Sequence, residues 1–174
     1  MVVDIDKWTT YYYLAPRSEE APMTLKENSK QKLLANNPRS SGIVGFWAEL
    51  FSANSDQVEA WVVPHIGGYG SEVLCLALWH ANTPQSKAAL KSFLGGATRE
   101  GSAVIGSLLS KEPPDVGSKQ IEDPMELDFL WGRFMGSGDQ KYVSRIVDQL
   151  AFRSATEDRS GLGILNSSIS GVSA

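Results

Sequence analysis

Histidine is the commonest general base near neutral pH, and this chain has two, His65 and His80. His65 opens the glycine-rich stretch HIGGYG, and His80 follows Trp79 near the end of an apolar helical run. Neither has a Cys, Asp or Glu at metal-ligand spacing, which points away from a structural zinc site. The glycines of HIGGYG form neither a P-loop nor a G-x-G-x-x-G fingerprint, and no strand pattern precedes them, so they read as an interhelical loop. A Ser-His-Asp set has no G-x-S-x-G elbow to support it. The adjacent acids Glu19-Glu20, Glu122-Asp123 and Glu157-Asp158 fall in loops, where solvation accounts for them. Glu49 differs, because it stands between Trp47 and Leu50 on an aromatic helix and reads as a partnered carboxylate at the edge of the core. The residue chemistry therefore predicts no catalytic residue, no metal site and no cofactor. An enzyme would need a polar pocket around His65 or His80.

The elements that must carry these residues read as helices. The clearest stretch runs from Ile121 to Leu150 and forms a helical hairpin. Asp123 serves as N-cap, Pro124 suits the first helical position, and Glu126 completes a capping box. Leu127, Leu130, Trp131 and Phe134 recur at helical spacing. Gly136 and Gly138 can end that helix. Asp139 caps the next one, which should bury Tyr142, Val143, Ile146, Val147 and Leu150. Upstream, Asp4 or Asp6 opens a helix through Leu14 that places Ile5, Trp8 and Tyr12 on one face, with Pro16 closing it. A weaker helix spans Pro22 to Ala35 through Leu25, Leu33 and Leu34. Ile43, Phe46, Trp47, Leu50 and Phe51 mark a strong amphipathic helix, and Val58, Trp61 and Val62 a short one ended by Pro64. Ser71 to Ala81 is apolar nearly all round, as a central buried helix would be. Thr83-Pro84 starts the next helix, which packs Ala88, Leu90, Phe93 and Leu94. Residues 97–120 are ambiguous, with Val104, Ile105, Leu108 and Leu109 as a short helical candidate.

These elements predict an all-α protein of about seven or eight helices in antiparallel hairpins, arranged as a solenoid-like array or an irregular bundle. Residues 1–152 form a single helical domain, and the Ser/Gly-rich residues 153–174 a disordered or loosely attached tail. The expected core includes Trp47, Leu50, Leu74, Leu78, Leu130, Trp131, Phe134 and Ile146. A chain of 174 residues is long enough to bury such a core. A net charge of −4 gives no general pull toward nucleic acid or anionic membranes. The single cysteine, Cys75, forms no internal disulfide, which fits a reducing compartment. No signal peptide and no membrane-spanning apolar run is visible. Those absences predict a cytoplasmic setting.

One pattern repeats. FWAELFSANSDQVEAWV from Phe46 aligns without gaps on LWGRFMGSGDQKYVSRI from Leu130, and FSANSDQ from Phe51 matches WHANTPQ from Trp79. Each copy carries a helix-stopping Asn or Gly followed by a Ser, Thr or Asp that can cap the next helix. These blocks, with the opening WTTYYYLAP, resemble a poorly characterised family of bacterial all-helical proteins. The resemblance implies helical hairpins and a bacterial source, and it brings no activity, cofactor or catalytic residue. Members of that family continue with another amphipathic helix after the hairpin, a pattern that residues from Arg153 onward do not show.

For function, the expectation is a non-catalytic interaction module that binds another protein or itself. The alternative is an immunity protein or antitoxin-like antagonist of a bacterial toxin. Tyr11, Tyr12 and Tyr13 fan across their helix at roughly 100° per residue, so one buried stripe cannot hold all three rings. Tyr11, Tyr13 and Arg17 are accordingly the candidate partner-binding residues.

Overall fold

The computed structural model describes residues 4–30, 40–68, 70–115, 121 and 123–151. Leu33, Leu34 and the tail from residue 153 lie outside the described residues. Those described form nine α-helical segments and no strand. The first two are α1 (Ile5–Tyr11) and α2 (Ala21–Lys30), with α3 (Ser40–Ala53) and α4 (Val58–Val62) next. The middle of the chain holds α5 (Ser71–Ala81), α6 (Pro84–Ser92) and α7 (Arg99–Leu109). Last come α8 (Pro124–Ser137) and the helical residues 140–151, here α9. Short 3₁₀ turns at Tyr12–Leu14, Ser18–Glu20, Val63–His65 and Phe93–Gly96 join several of them. The all-α expectation holds, and the ambiguous stretch after residue 97 contains a regular helix, α7.

Five of the N-termini form where a side chain satisfies a free amide of the first turn. The Asp4 carboxylate accepts from the Lys7 amide at 3.1 Å, and Thr83 Oγ1 accepts from the Ser86 amide at 3.0 Å. Thr98 Oγ1 accepts from the Gly101 amide at 3.2 Å. Asp123 accepts from the Met125 amide at 2.8 Å, and Asp139 from the Lys141 amide at 3.0 Å. Two of the three repeated turns work as their residues suggest. Asn82 (φ 52°) ends α5 and Gly138 (φ 71°) ends α8, both in the left-handed region. The turn at Asn54 is different. Its φ is not positive, and both its backbone N–H and its Nδ2 donate to the Leu50 carbonyl, at 3.0 and 2.9 Å. The side chain satisfies a terminal carbonyl directly, so no left-handed residue is needed. Ser55 does not cap α4, whose N-cap position is Gln57 without a side-chain cap.

α3 lies at the centre, packed on one side by α8 and on the other by α5. α6 backs both α4 and α5, α7 lies across α5 and α6, and α1 with its 3₁₀ turn covers α8. α5 is therefore not the central helix that its hydropathy suggests; Leu76 is exposed and its His80 end only half-buried. Aromatic rings knit α1 to α3: Trp8 meets Tyr12 at 5.0 Å and Phe46 at 5.5 Å, and Trp47 meets Phe51 at 5.7 Å between centroids. Trp47, Leu50, Leu74, Leu78 and Leu130 are fully buried. Phe134 and Ile146 pack partly buried against that cluster.

Trp131 is a correction to the expected core, since 48% of it is exposed. Val147 and Leu150 are likewise open, so α9 buries Tyr142 and the polar Gln149 instead of the whole apolar row. Gln149 has a backbone to satisfy: its Nε2 donates to the Ile121 carbonyl at 3.0 Å, and its Oε1 accepts from the Ile121 amide at 3.4 Å.

The α3–α8 contact explains why Trp131 faces out. The two backbones meet at glycines. A Cβ on Gly45 would lie 2.1 Å from the Phe129 carbonyl oxygen, and one on Gly132 1.9 Å from that of Gly42. Carbonyl oxygens of one helix thus lie against the bare Cα of the other, the geometry of Cα–H···O contacts. The glycine face of α8 turns inward, and Trp131 is left on the far side.

Candidate partner-binding surface

α1 and its following turn present three consecutive tyrosines in three environments. Tyr12 is buried in the core, and burial pushes its hydroxyl pKa above the ordinary value, with Glu19 adding to the shift. Tyr11 is exposed. Tyr13 is half-buried, with its ring 4.8 Å from that of Phe134. Phe134 in turn stands 5.5 Å from the exposed Trp131. The rings Tyr13, Phe134 and Trp131 therefore form a continuous strip from the 3₁₀ turn onto the outer face of α8. Leu14, in the same turn, is exposed as well. Arg17 is exposed and pairs with Glu20 at 2.9 Å, an interaction one turn long that leaves the guanidinium at the surface.

Of the residues that the sequence singled out, the structure joins Tyr13 to this strip. The exposure of Trp131 and Leu14 is not what the sequence suggested, while Phe134, expected in the core, packs partly buried against it and touches both Tyr13 and Trp131. The signal for Trp131 was present: α8 carries Leu127, Phe129, Leu130, Trp131, Phe134 and Met135, more large apolar groups than one stripe can hold. The same argument that placed Tyr11 and Tyr13 outside applies to it.

The titratable groups sit elsewhere and are mostly occupied with each other. One oxygen of Glu49 accepts from Arg133 Nε and from the Tyr142 hydroxyl, each at 2.5 Å. The Arg133 guanidinium also covers the rings of Phe129 and Tyr142, at 5.6 and 5.2 Å from their centroids. Burial, then the bond to Glu49, pushes the Tyr142 hydroxyl up to about 12. Beside this cluster a cleft of about 590 Å³ opens between α8 and α9, lined by groups of both signs including Arg133, Lys141 and Asp148. Cys75 is buried, and its thiol is pushed up to about 12, which leaves it protonated and unreactive near neutral pH.

The two histidines have different surroundings. His65 Nδ1 lies 3.1 Å from Ser29 Oγ, and burial lowers its pKa. His80 packs its ring between Trp79 and Phe129, at 4.8 and 4.5 Å. Burial first, and the Arg133 charge second, push it down to about 4. It borders a shallow groove with Val44, Leu76 and Met125. Among the described residues no three His, Cys, Asp or Glu side chains gather as a metal site, and no helix is long and apolar enough to cross a membrane.

The His80 environment carries a pH prediction. Its folded pKa lies below the unfolded value of about 6.5, so the unfolded chain binds the extra proton first as pH falls. His80 therefore contributes stability that is present above pH 6.5 and is lost as pH drops from about 6.5 toward 4. Urea midpoints at pH 7 and pH 4.5 are expected to differ more for the wild type than for His80→Phe, which keeps the ring stack without the titration. Equal differences would show that His80 charges as easily folded as unfolded.

No family model, curated protein or solved structure matches the chain.

Proposed function

We propose that this protein is a non-catalytic interaction module that holds a partner protein, or a second copy of itself, on the strip formed by Tyr13, Phe134 and Trp131. Tyr11, Leu14 and Arg17 flank the strip along the chain. The observation that carries this reading is the exposure of Trp131 at the end of a ladder of touching rings. Tryptophan, tyrosine and arginine are the residue types in which binding energy concentrates at protein interfaces. A half-exposed tryptophan that contributes little to the core is costly to keep in water unless something covers it.

The test uses residues whose removal the core can tolerate. Trp131→Ala with Arg17→Ala should leave the melting temperature within a few degrees, because both side chains are exposed. Self-association in sedimentation velocity, or capture of the partner from the source organism, should weaken by roughly 30-fold or more, as expected for hot-spot residues worth at least about 2 kcal/mol. Unchanged association in a folded variant would remove the strip from consideration. A loss of many degrees would assign both residues to the core instead.

A further inference from the structure

Few side chains hold α7 to the rest of the protein. Among the described residues 94–115, Ile105 alone is buried. Leu108 and Leu109 pack beside the core, partly buried, while Val104 is 58% exposed. α3 buries seven of its 14 residues, against one of 11 in α7. That difference matters, because a helix shorter than about 12–15 residues is marginal in water without packing. Gly101 and Gly106 lie inside α7, and each disfavours the helix roughly fivefold relative to alanine.

The two ends of α7 are held differently. Phe93 is buried, and the turn that it opens ends in Gly95-Gly96, just before Thr98 caps α7. Small residues at the end of an element can absorb a change in chain direction, as hinges do. The other end is pinned by polar bonds. Trp79 Nε1, on α5, donates to the Lys111 carbonyl at 2.9 Å. Lys87, on α6, donates to the Glu112 carboxylate at 3.0 Å, and the Asn82 side chain adds a bond to the same group. Lys87 and Glu112 are both exposed, so water competes for that pair and it contributes little. The Trp79 bond is the main catch. Just past it, Pro114 lines the groove beside His80, and Asp115 lines the cleft beside Arg133.

We propose that α7 is a hinged lid, which opens as one unit about Gly95-Gly96 while α3, α5 and α8 stay folded. The Trp79–Lys111 bond latches it shut. Segments with few buried contacts open in this way ahead of global unfolding. Opening frees the Trp79 N–H and uncovers the faces of α5 and α6 on which α7 lies. It also draws Pro114 and Asp115 away from the two pockets that they help to line. The lid is separate from the aromatic strip and stands or falls without it.

Amide hydrogen exchange of the full chain, read by NMR across a urea series below the unfolding transition, follows the opening residue by residue. The amides from Val104 to Ser110 are expected to share one opening, at least roughly 100-fold more frequent than that of α3 and nearly independent of urea. Tyr142→Phe removes a bond between α9 and Glu49 on α3. It should speed exchange in α3 about tenfold and leave α7 unchanged. Trp79→Phe, which keeps a ring but loses the N–H, should speed exchange in α7 about threefold or more. The proposal is overturned if α7 exchanges with the rate and urea dependence of α3, or if Tyr142→Phe speeds both equally, since either makes α7 part of one cooperative unit. It is also overturned if α7 shows no protection, because a lid must close, or if Trp79→Phe leaves α7 exchange unchanged.

Discussion

Alanine at position 45 or 132 is expected to destabilise the protein by about 3 kcal/mol or more, at the upper end of overpacking costs. The opposing gain from replacing a helical glycine is at most about 1 kcal/mol, so packing decides the sign. The new Cβ of Gly132→Ala would stand 1.9 Å from the Gly42 carbonyl oxygen and 2.9 Å from the Phe46 amide nitrogen. Those are backbone atoms of a central helix and cannot rotate away. Restoring a carbon–oxygen contact of about 3.3 Å requires the helices to part by more than an ångström. Phe46, Phe129 and Leu130 would then lose contacts together. Gly106→Ala is the matched control: it is also inside a helix, α7, and has nothing within 4 Å of the added carbon. It should gain about 0.5–1 kcal/mol. For a chain of this length each kcal/mol moves the melting point by about 2–4 °C, so thermal melts separate the outcomes clearly. Gly45→Ala combined with Gly132→Ala should cost less than the sum, because the first change already parts the helices. Similar small effects at positions 45, 106 and 132 would show that the helices are not in backbone contact.

That close contact is also where sequence reading stopped short. Apolar periodicity located α1, α3, α5 and α8, because a buried stripe must repeat at helical spacing. Caps placed the starts of α6 and α8 to within a residue, because Thr83 and Asp123 each have a first-turn amide to satisfy; for α1 they left Asp4 or Asp6, and Asp4 is the cap. Which helix is central was not legible. Hydropathy favours α5, but α3 packs on α5 and, through Gly42 and Gly45, on the backbone of α8, and glycine adds nothing to an apolar count. The same omission hid Trp131: with the glycine face of α8 unrecognised, its largest side chain reads as core. Gln149 escaped for a different reason. Its partner is a backbone segment at Ile121, 28 residues away, and no local pattern announces a buried amide that pairs with a distant main chain. For the surface, the excess of tyrosines on α1 was readable, whereas the meeting of Tyr13 with Phe134 depends on how α1 crosses α8.

Removing the Glu49 carboxylate should be the other large effect. Glu49 sits on α3, Arg133 on α8 and Tyr142 on α9, so one oxygen ties three helices together. Only 15% of the Glu49 side chain and 22% of that of Arg133 is exposed. Breaking a fully buried pair by deleting one partner costs about 3–5 kcal/mol; partial exposure lets water reach Arg133, which lowers the expectation for Glu49→Ala to about 2–3 kcal/mol. Tyr142→Phe removes one bond to a charged acceptor and leaves the ion pair, so it should cost about 1–2 kcal/mol. The double variant should fall short of the sum, because Tyr142 has lost its acceptor once Glu49 is gone. A pH measurement distinguishes the hydroxyl bond from ring packing. The folded Tyr142 pKa of about 12 lies above its ordinary 10.0. The neutral, donating hydroxyl therefore contributes stability that is fully present below pH 10 and is lost as pH rises toward 12. Lysines titrate in the same window, so the informative quantity is the difference between wild type and Tyr142→Phe, whose ring packs alike but does not ionise. That difference should shrink between pH 9 and pH 11.5. If it stays constant, Tyr142 stabilises α9 through its ring alone, and the three-helix tie reduces to the Glu49–Arg133 pair.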